Sequence, residues 1–350
     1  MTMTATEDFL AKLNPKIAKA VRRASEVKTE LLPTASYGLN KALGGGIGRG
    51  RIALVYGNTS SGKSALMMQS AGEWQKQGLV VAYVDVEKTW DNAWAKRLGV
   101  NTDEIILVQK TSISKVYNEI RPLLEAEIDV IIIDSISMAL PDSFIDEDGA
   151  AKDLENHKQI GAKAKALTAL VNGIHYSNEN TAVVLISQTT TDLSGMHPKQ
   201  IPDGGKKVMF ASSQIVKLTS SGTEKNQIKG KIRVGDKILE MPIGREVAVY
   251  VEKNKMAAQG GTAEYNFYYK GANVGVDRSS EIINEAIKFG VIKQGGAWFT
   301  HGESPKERAA CFSRRRFCAT CSTAGPGRTG MDSARIRTAA RSAFSHSRVT

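Results

Sequence analysis

The sequence predicts an α/β fold: a mostly parallel sheet flanked by helices on both faces, with an antiparallel extension. Three observations predict it. Short aliphatic runs alternate with helical segments from Arg51 to Gln188, the pattern of strands buried on both faces. A Gly/Ser-rich loop joins the first run to the first helix, as in a strand–loop–helix unit. From about Ile215 onward, strand-like segments follow one another with no helix between them.

In chain order, residues 6–29 form a short N-terminal helical pattern carrying apolar Phe9, Leu10, Leu13, Ile17 and Val21, with Pro15 marking a break or a late start. Its apolar face suits packing on the body or on a neighbouring subunit. Gly44 to Gly50 does not fit a dinucleotide fingerprint and reads as a tight turn entering the first core strand, Arg51–Tyr56. Further strands are expected at 79–84, 105–108, 130–133 and 182–186, with helices near 90–98, 113–126 and 155–177. Segments 214–219, 228–234, 245–252 and 264–269 are expected to form the antiparallel extension, followed by a helix from Ser280 to Phe289. Three regions result: 1–33 helical and oligomerising, 34–303 the core, and 304–350 a basic tail.

That tail changes texture. It holds ten basic and two acidic side chains, most of the formal net charge of +11, and its basic residues are nine Arg to one Lys. It has no Leu, one Ile and one Val, so it cannot build a core and is expected to be disordered. Its Arg, Ala, Ser, Gly, Thr, Pro and Cys content is what a GC-rich gene yields out of frame, which makes a frameshift near Glu303 one reading and a nucleic-acid-binding arm the other. All three cysteines, Cys311, Cys318 and Cys321, lie there. The irregular spacing, with no second C-x-x-C, weighs against zinc. No apolar run approaches the length of a membrane span, and the N-terminus lacks a basic region followed by an apolar one. A cytoplasmic protein with no membrane partner is expected.

The chemistry starts at Gly57-Asn58-Thr59-Ser60-Ser61-Gly62-Lys63-Ser64, which fits G-x-x-x-x-G-K-[ST]. Gly57 and Gly62 permit the tight curl that points backbone N–H groups at phosphates. Lys63 supplies a point charge to the terminal phosphates, Ser64 a hydroxyl for Mg²⁺, and the following helix its positive end. A nucleoside triphosphate ligand follows. Asp134, closing four aliphatic residues, is placed to hold the Mg²⁺ shell. Asp85 and Glu87 share one side by two-residue alternation, at the mouth where a carboxylate can deprotonate the attacking water. Gln188 is polar where the run before it is apolar, and is placed to sense a γ-phosphate. Two long loops, Pro141–Asn156 and Thr189–Lys207, leave the same end of the sheet. The second carries Lys199, Gly204, Gly205, Lys206 and Lys207. Lys253 and Lys255 share one face of a strand end, where they could equally be a solvated edge.

Thr34 to Phe299 resembles the RecA family of DNA strand-exchange proteins, bacterial and phage-encoded members above all. The likeness runs through Leu43-Gly44-Gly45-Gly46, Gly57–Ser64, Tyr83-Val84-Asp85-Val86-Glu87, Ala95–Val100, Ile133-Asp134-Ser135, Ile186-Ser187-Gln188, Gly204-Gly205 before Phe210-Ala211, Lys253-Asn254-Lys255 and Gly296-Ala297-Trp298-Phe299. The resemblance implies a RecA-like core and a DNA-dependent ATPase using ATP and Mg²⁺. Such a protein forms helical homo-oligomeric filaments on single-stranded DNA and pairs it with double-stranded DNA in recombination and repair. It makes Glu87 the catalytic glutamate, Gln188 the γ-phosphate sensor, and the two loops DNA-binding. Lys253 and Lys255 become lysines reaching the ATP of the adjacent subunit, and Asp91 and Trp94 contacts to adenine. The N-terminal helix becomes the segment that docks on the neighbour, a head-to-tail contact that propagates into open filaments. Two departures stand out: the second loop lacks an aromatic residue and the first is net acidic. The alternatives are a ring helicase or clock-type ATPase on the same fold, or a damaged recombinase acting as a passive DNA binder.

Overall fold

In the computed structural model of the chain, residues 4–12, 24–27, 29–145, 161–192, 199–220, 226–234, 237–271, 273–296, 298–301 and 307–308 are described. They fall into two compact units, Met1–Val276 and Asp277–Thr350.

The first unit opens with α1 (Ala5–Ala11), whose N-terminus is closed by a reciprocal capping box between Thr4 and Glu7. A single 3₁₀ turn follows at Ala24–Glu26; residues 13–23 of the expected helical segment lie outside the described residues. A two-stranded ribbon, β1 (Leu31–Leu32) with β2 (Ile47–Gly48), encloses α2 (Tyr37–Leu43). This helix stops at Gly44, which takes the left-handed conformation that only glycine adopts without strain.

The central sheet contains β3 (Ile52–Gly57), β4 (Val81–Asp85), β5 (Ile106–Val108), β6 (Val130–Asp134), β7 (Ala182–Asp192) and β8 (Lys199–Pro202). Beyond these come β9 (Gln214–Thr219), β10 (Gln227–Val234), β11 (Lys237–Asn254), β12 (Thr262–Tyr268) and β13 (Gly275–Val276). The spatial order is β13-β12-β11-β9-β3-β7-β6-β4-β5, with β10 on β11 and β8 on β7. From β9 to β5 every neighbouring pair is parallel.

Alternation along each strand divides the core in two. Val130, Ile132, Val184, Ile186, Ala53 and Val55 face the layer holding α3 (Lys63–Gln75), with Leu66, Met67 and Trp74. Ile131, Ile133, Val183, Leu185, Ile52 and Leu54 face α5 (Ile113–Glu125) and α6 (Ala162–Ser177), through Val116, Ile120, Leu167 and Ile174. Strands buried on both faces have no polar side to show, which is why they read as continuous aliphatic runs.

Two expectations change. Segment 214–219 belongs only in part to the antiparallel extension: α7 (Gly205–Ala211) carries the chain across, and β9 runs parallel to β3 on one side and antiparallel to β11 on the other. The first three of the seven residues of α7, Gly205–Lys207, fall inside what reads as a loop. The loop after Gln188 is likewise not wholly irregular, because β8 folds back on the outer half of β7 as an antiparallel pair. The antiparallel extension starts where β11 pairs with β9 and continues through β10, β12 and β13.

The second unit contains α8 (Arg278–Lys288), capped by Asp277, and a small antiparallel sheet of β14 (Ile292–Gly295), β15 (Trp298–His301) and β16 (Glu307–Arg308). Glu307 and Arg308 therefore pair as strand inside the stretch read as tail; the rest of 309–350, with all three cysteines, lies outside the described residues.

Candidate functional site

The carboxyl ends of β3, β4 and β6 meet beside the middle of β7 at one edge, which is where loops in a parallel sheet gather their chemistry. Gly57 pairs in register with Gln188, and Asp85 with Asp134. Three strand ends and the middle of β7, which runs on to Asp192 instead of ending at Gln188, thus bring Gly57–Ser64, Glu87, Asp134 and Gln188 together, although 131 residues separate Gly57 from Gln188.

The two glycines of the loop are needed for different reasons. A Cβ on Gly57 would lie 2.1 Å from the Leu218 carbonyl oxygen of β9, so the neighbouring strand excludes a side chain. Gly62 has open space around it but a φ of +92°, and it begins α3 with no side-chain cap. Its missing cap leaves the first helical N–H groups for a ligand. Asn58, Thr59 and Ser60 are exposed, and Ser61 is buried.

Lys63 is only 7% exposed, and its ammonium donates to the carbonyls of Gly57 and Asn58, both at 2.9 Å. Burial pulls its pKa down, while Asp134 and Glu87 push it back up. Asp134 is equally buried; burial raises its carboxyl, opposed by hydrogen bonds from Tyr83 and Ser64 and reinforced by the charges of Glu87 and Asp85. Ser64 and Asp134 are therefore adjacent, a hydroxyl and a carboxylate of the hard-oxygen kind that Mg²⁺ accepts alongside phosphate and water. Among the described residues no group of three or more His, Cys, Asp or Glu side chains could hold a metal ion.

Alternation beyond β4 does not place the two acids alike. The strand ends at Asp85, whose buried carboxylate accepts from the backbone N–H groups of Thr89 (3.1 Å) and Trp90 (3.0 Å) and from Gln109 Nε2 (2.9 Å). Asp85 thus closes the turn that follows. Glu87, beyond the strand, is half-buried and accepts from the Ser135 hydroxyl at 2.5 Å. Asp91 caps α4 (Asn92–Arg97) by accepting from the Trp94 N–H at 2.6 Å. Trp94 is half-buried against the core, with the Arg97 guanidinium 5.6 Å from its ring centre.

Gln188 is tied through its backbone: its N–H donates to the Ser137 hydroxyl and its carbonyl accepts from the Asp203 N–H, both at 2.8 Å. Lys199, Lys206 and Lys207 are exposed, on β8 and in the first turn of α7, and Gly204 is buried as that helix's N-cap. Lys253 follows a register shift in β11, and its ammonium donates to the carbonyls of Met209 (2.8 Å) and Phe210 (3.1 Å) at the end of α7. Burial and then neighbouring Lys255 lower its pKa. Lys255 is exposed. Of the first long loop, Pro141 to Ile145 are described, and 146–156 lie outside; in the second, so do 193–198.

Sequence reasoning missed Tyr83, Ser135, Thr189 and Arg245. The Thr189 hydroxyl donates to Asn58 Oδ1 at 2.7 Å, and Arg245 of β11 donates to the Ser60 carbonyl. Both reach the loop from strands distant in sequence, so only Ser135, beside Asp134, carried a local signal.

The model of the RecA N-terminal domain matches residues 14–274 of this chain. That extent decides the matter. The chain belongs to the RecA family. Protein RecA of Thermus aquaticus is 32% identical over 323 residues, covering 89% of each chain. Protein RecA of Fusobacterium nucleatum is 33% identical, covering 79% of this chain and 69% of its own. Protein RecA of Legionella pneumophila (strain Corby) is 34% identical, covering 78% and 74%. The function is accordingly that of a RecA-family recombinase in DNA recombination and repair. RecA-family proteins are in general DNA-dependent ATPases that use ATP with magnesium and form filaments on DNA. Among the described residues no helix is long and apolar enough to cross a membrane.

Proposed function

We propose that this chain is a cytoplasmic ATPase that polymerises on single-stranded DNA and pairs it with a homologous duplex, hydrolysing ATP between adjacent protomers. The observation that carries the reading is the convergence of Lys63, Ser64, Asp134 and Glu87 at one sheet edge with the Gln188 strand in register beside Gly57.

In this reading Gly57, Asn58, Thr59, Ser60, Ser61 and Gly62 wrap the phosphates with backbone N–H groups, and Lys63 supplies the nearby charge. Ser64 and Asp134 would hold Mg²⁺, which neutralises charge on the phosphate oxygens when bound. Charge brought by the nucleotide and its metal compensates the burial that opposes ionisation of Lys63 and Asp134. Glu87, oriented by Ser135, accepts the proton of the attacking water. Gln188 contacts the γ-phosphate. Asp91 and Trp94 line the adenine side, with the Trp94 ring as a stacking surface.

Lys253 and Lys255 of one protomer serve the ATP of the next, where fixed positive charge stabilises phosphoryl transfer. Residues 1–33 dock on that neighbour, 34–303 form the ATPase core, and 304–350 add a basic tail. Lys199, Gly204, Gly205, Lys206 and Lys207 contact the DNA backbone. The test is turnover with and without single-stranded DNA in wild type and Lys63→Ala: wild-type stimulation lost in the variant is expected, and stimulation that survives in Lys63→Ala overturns the assignment.

A further inference from the structure

The backbone ties on either side of Gln188 belong to a closed circuit. The Gln188 N–H donates to Ser137 Oγ at 2.8 Å, and the Asp203 N–H donates to the Gln188 carbonyl at 2.8 Å. Ser137 and Asp203 are then joined by one side chain, Lys163 of α6. Its ammonium donates to the Ser137 carbonyl and to Asp203 Oδ2, the latter at 2.8 Å. Buried Ser187 braces the inside of the circuit by donating to the Asp203 carbonyl at 2.7 Å. Ser137 lies three residues after Asp134, and Asp203 immediately before Gly204 and α7. Lys163 is thus the point at which the segment after β6, the return from β8 and the Gln188 stretch of β7 are joined.

We propose that Lys163 is a positioning residue that couples Gln188 to the β8–α7 segment, so that nucleotide state is transmitted through the Lys163–Asp203 pair. The inference rests on the reading of Gln188 as the γ-phosphate sensor. Displacement of the Gln188 backbone moves both of its hydrogen-bond partners, and Lys163 prevents Ser137 and Asp203 from answering separately. Each member of the ion pair is 34% exposed, so the pair contributes little to global stability and its worth lies in geometry. Methionine matches the length of the lysine stem without its charge, whereas arginine can restore both donations.

Two measurements test this on the full-length protein. In single-strand-stimulated ATP hydrolysis, Lys163→Met and Asp203→Asn are each expected to lower kcat on the order of tenfold, a typical coupling factor, with a smaller change in KM. The double variant is expected to be no worse than either single one, because both remove the same link. Lys163→Arg is expected to recover most of the loss. Hydrogen exchange at residues 199–211 is then compared with ADP and with a non-hydrolysable ATP analogue. The nucleotide-dependent difference is expected in wild type and Lys163→Arg and is expected to vanish in Lys163→Met. Losses that add in the double variant, or an exchange difference that persists in Lys163→Met, overturn the inference. If wild type shows the exchange difference but no DNA stimulation, the recombinase reading fails while the coupling by Lys163 stands.

Discussion

Tyr83 donates its hydroxyl to the Asp134 carboxylate at 2.5 Å, inside the sheet and below the phosphate loop. Burial raises the Tyr83 pKa well above its ordinary value, with Asp134 next in effect, so the phenol stays a donor. Asp134 is itself raised by burial, and the sign of its contribution follows. Below the ordinary carboxylate value of 3.8 the group is neutral folded or unfolded, and its ionisation costs the fold nothing. As pH climbs from there through the raised folded value, the unfolded chain loses the proton first, and stability falls. Asp134→Asn removes that cost and keeps an oxygen for Tyr83. The variant is expected to melt above wild type at neutral pH, with the gap closing as pH falls toward about 4, while its affinity for Mg²⁺-nucleotide drops. Melting curves across that range check it; an equal gap at every pH contradicts it.

Glu87 and Ser135 give a second expectation. Glu87→Gln keeps the shape and removes the base, so ATP should still bind while hydrolysis falls on the order of 10² to 10⁴-fold. Ser135→Ala leaves the carboxylate present but less held and should give a smaller loss. Equal losses in the two variants would show that position, not basicity, carries the effect.

The two loop glycines should each be costly to replace, for different reasons. Gly57→Ala meets a strand carbonyl and should lose about 1–3 kcal/mol by overpacking. Gly62→Ala meets nothing within 4 Å and should lose about 1–2 kcal/mol from its left-handed backbone alone. Raising the denaturant midpoint by either change would contradict this account.

If Lys253 serves a neighbour's nucleotide, defects on separate protomers should complement. Lys253→Ala and Glu87→Gln proteins, each nearly inactive alone, should regain up to about a quarter of wild-type turnover when mixed equally, since random assembly pairs an intact base with an intact neighbouring lysine that often. No recovery in mixed filaments would place Lys253 in its own protomer's structure, where it holds the end of α7.

The doubly covered strands were readable because burial on both faces leaves nothing but aliphatics, and the phosphate loop because its geometry tolerates few residue types. The parallel return of β9 was not, since α7 spans only Gly205–Ala211 and starts inside a segment rich in Gly and Lys. Asp85 and Glu87 were found together, yet alternation stops where β4 stops, and Asp85 went to the turn. Tyr83 reads in the sequence only as part of a strand, because its partner is 51 residues away. Lys163, Thr189 and Arg245 act through contacts with no periodic trace. Pairwise chemistry across strands is set by register, and register is not written locally.

The most direct test of the central claim is ATP hydrolysis titrated with single-stranded DNA at increasing salt, in wild type and Lys63→Ala. Wild type is expected to be strongly stimulated, with apparent DNA affinity falling by a log–log slope of about −0.7 per phosphate neutralised, and Lys63→Ala to be unresponsive. Hydrolysis indifferent to DNA and to salt would contradict it.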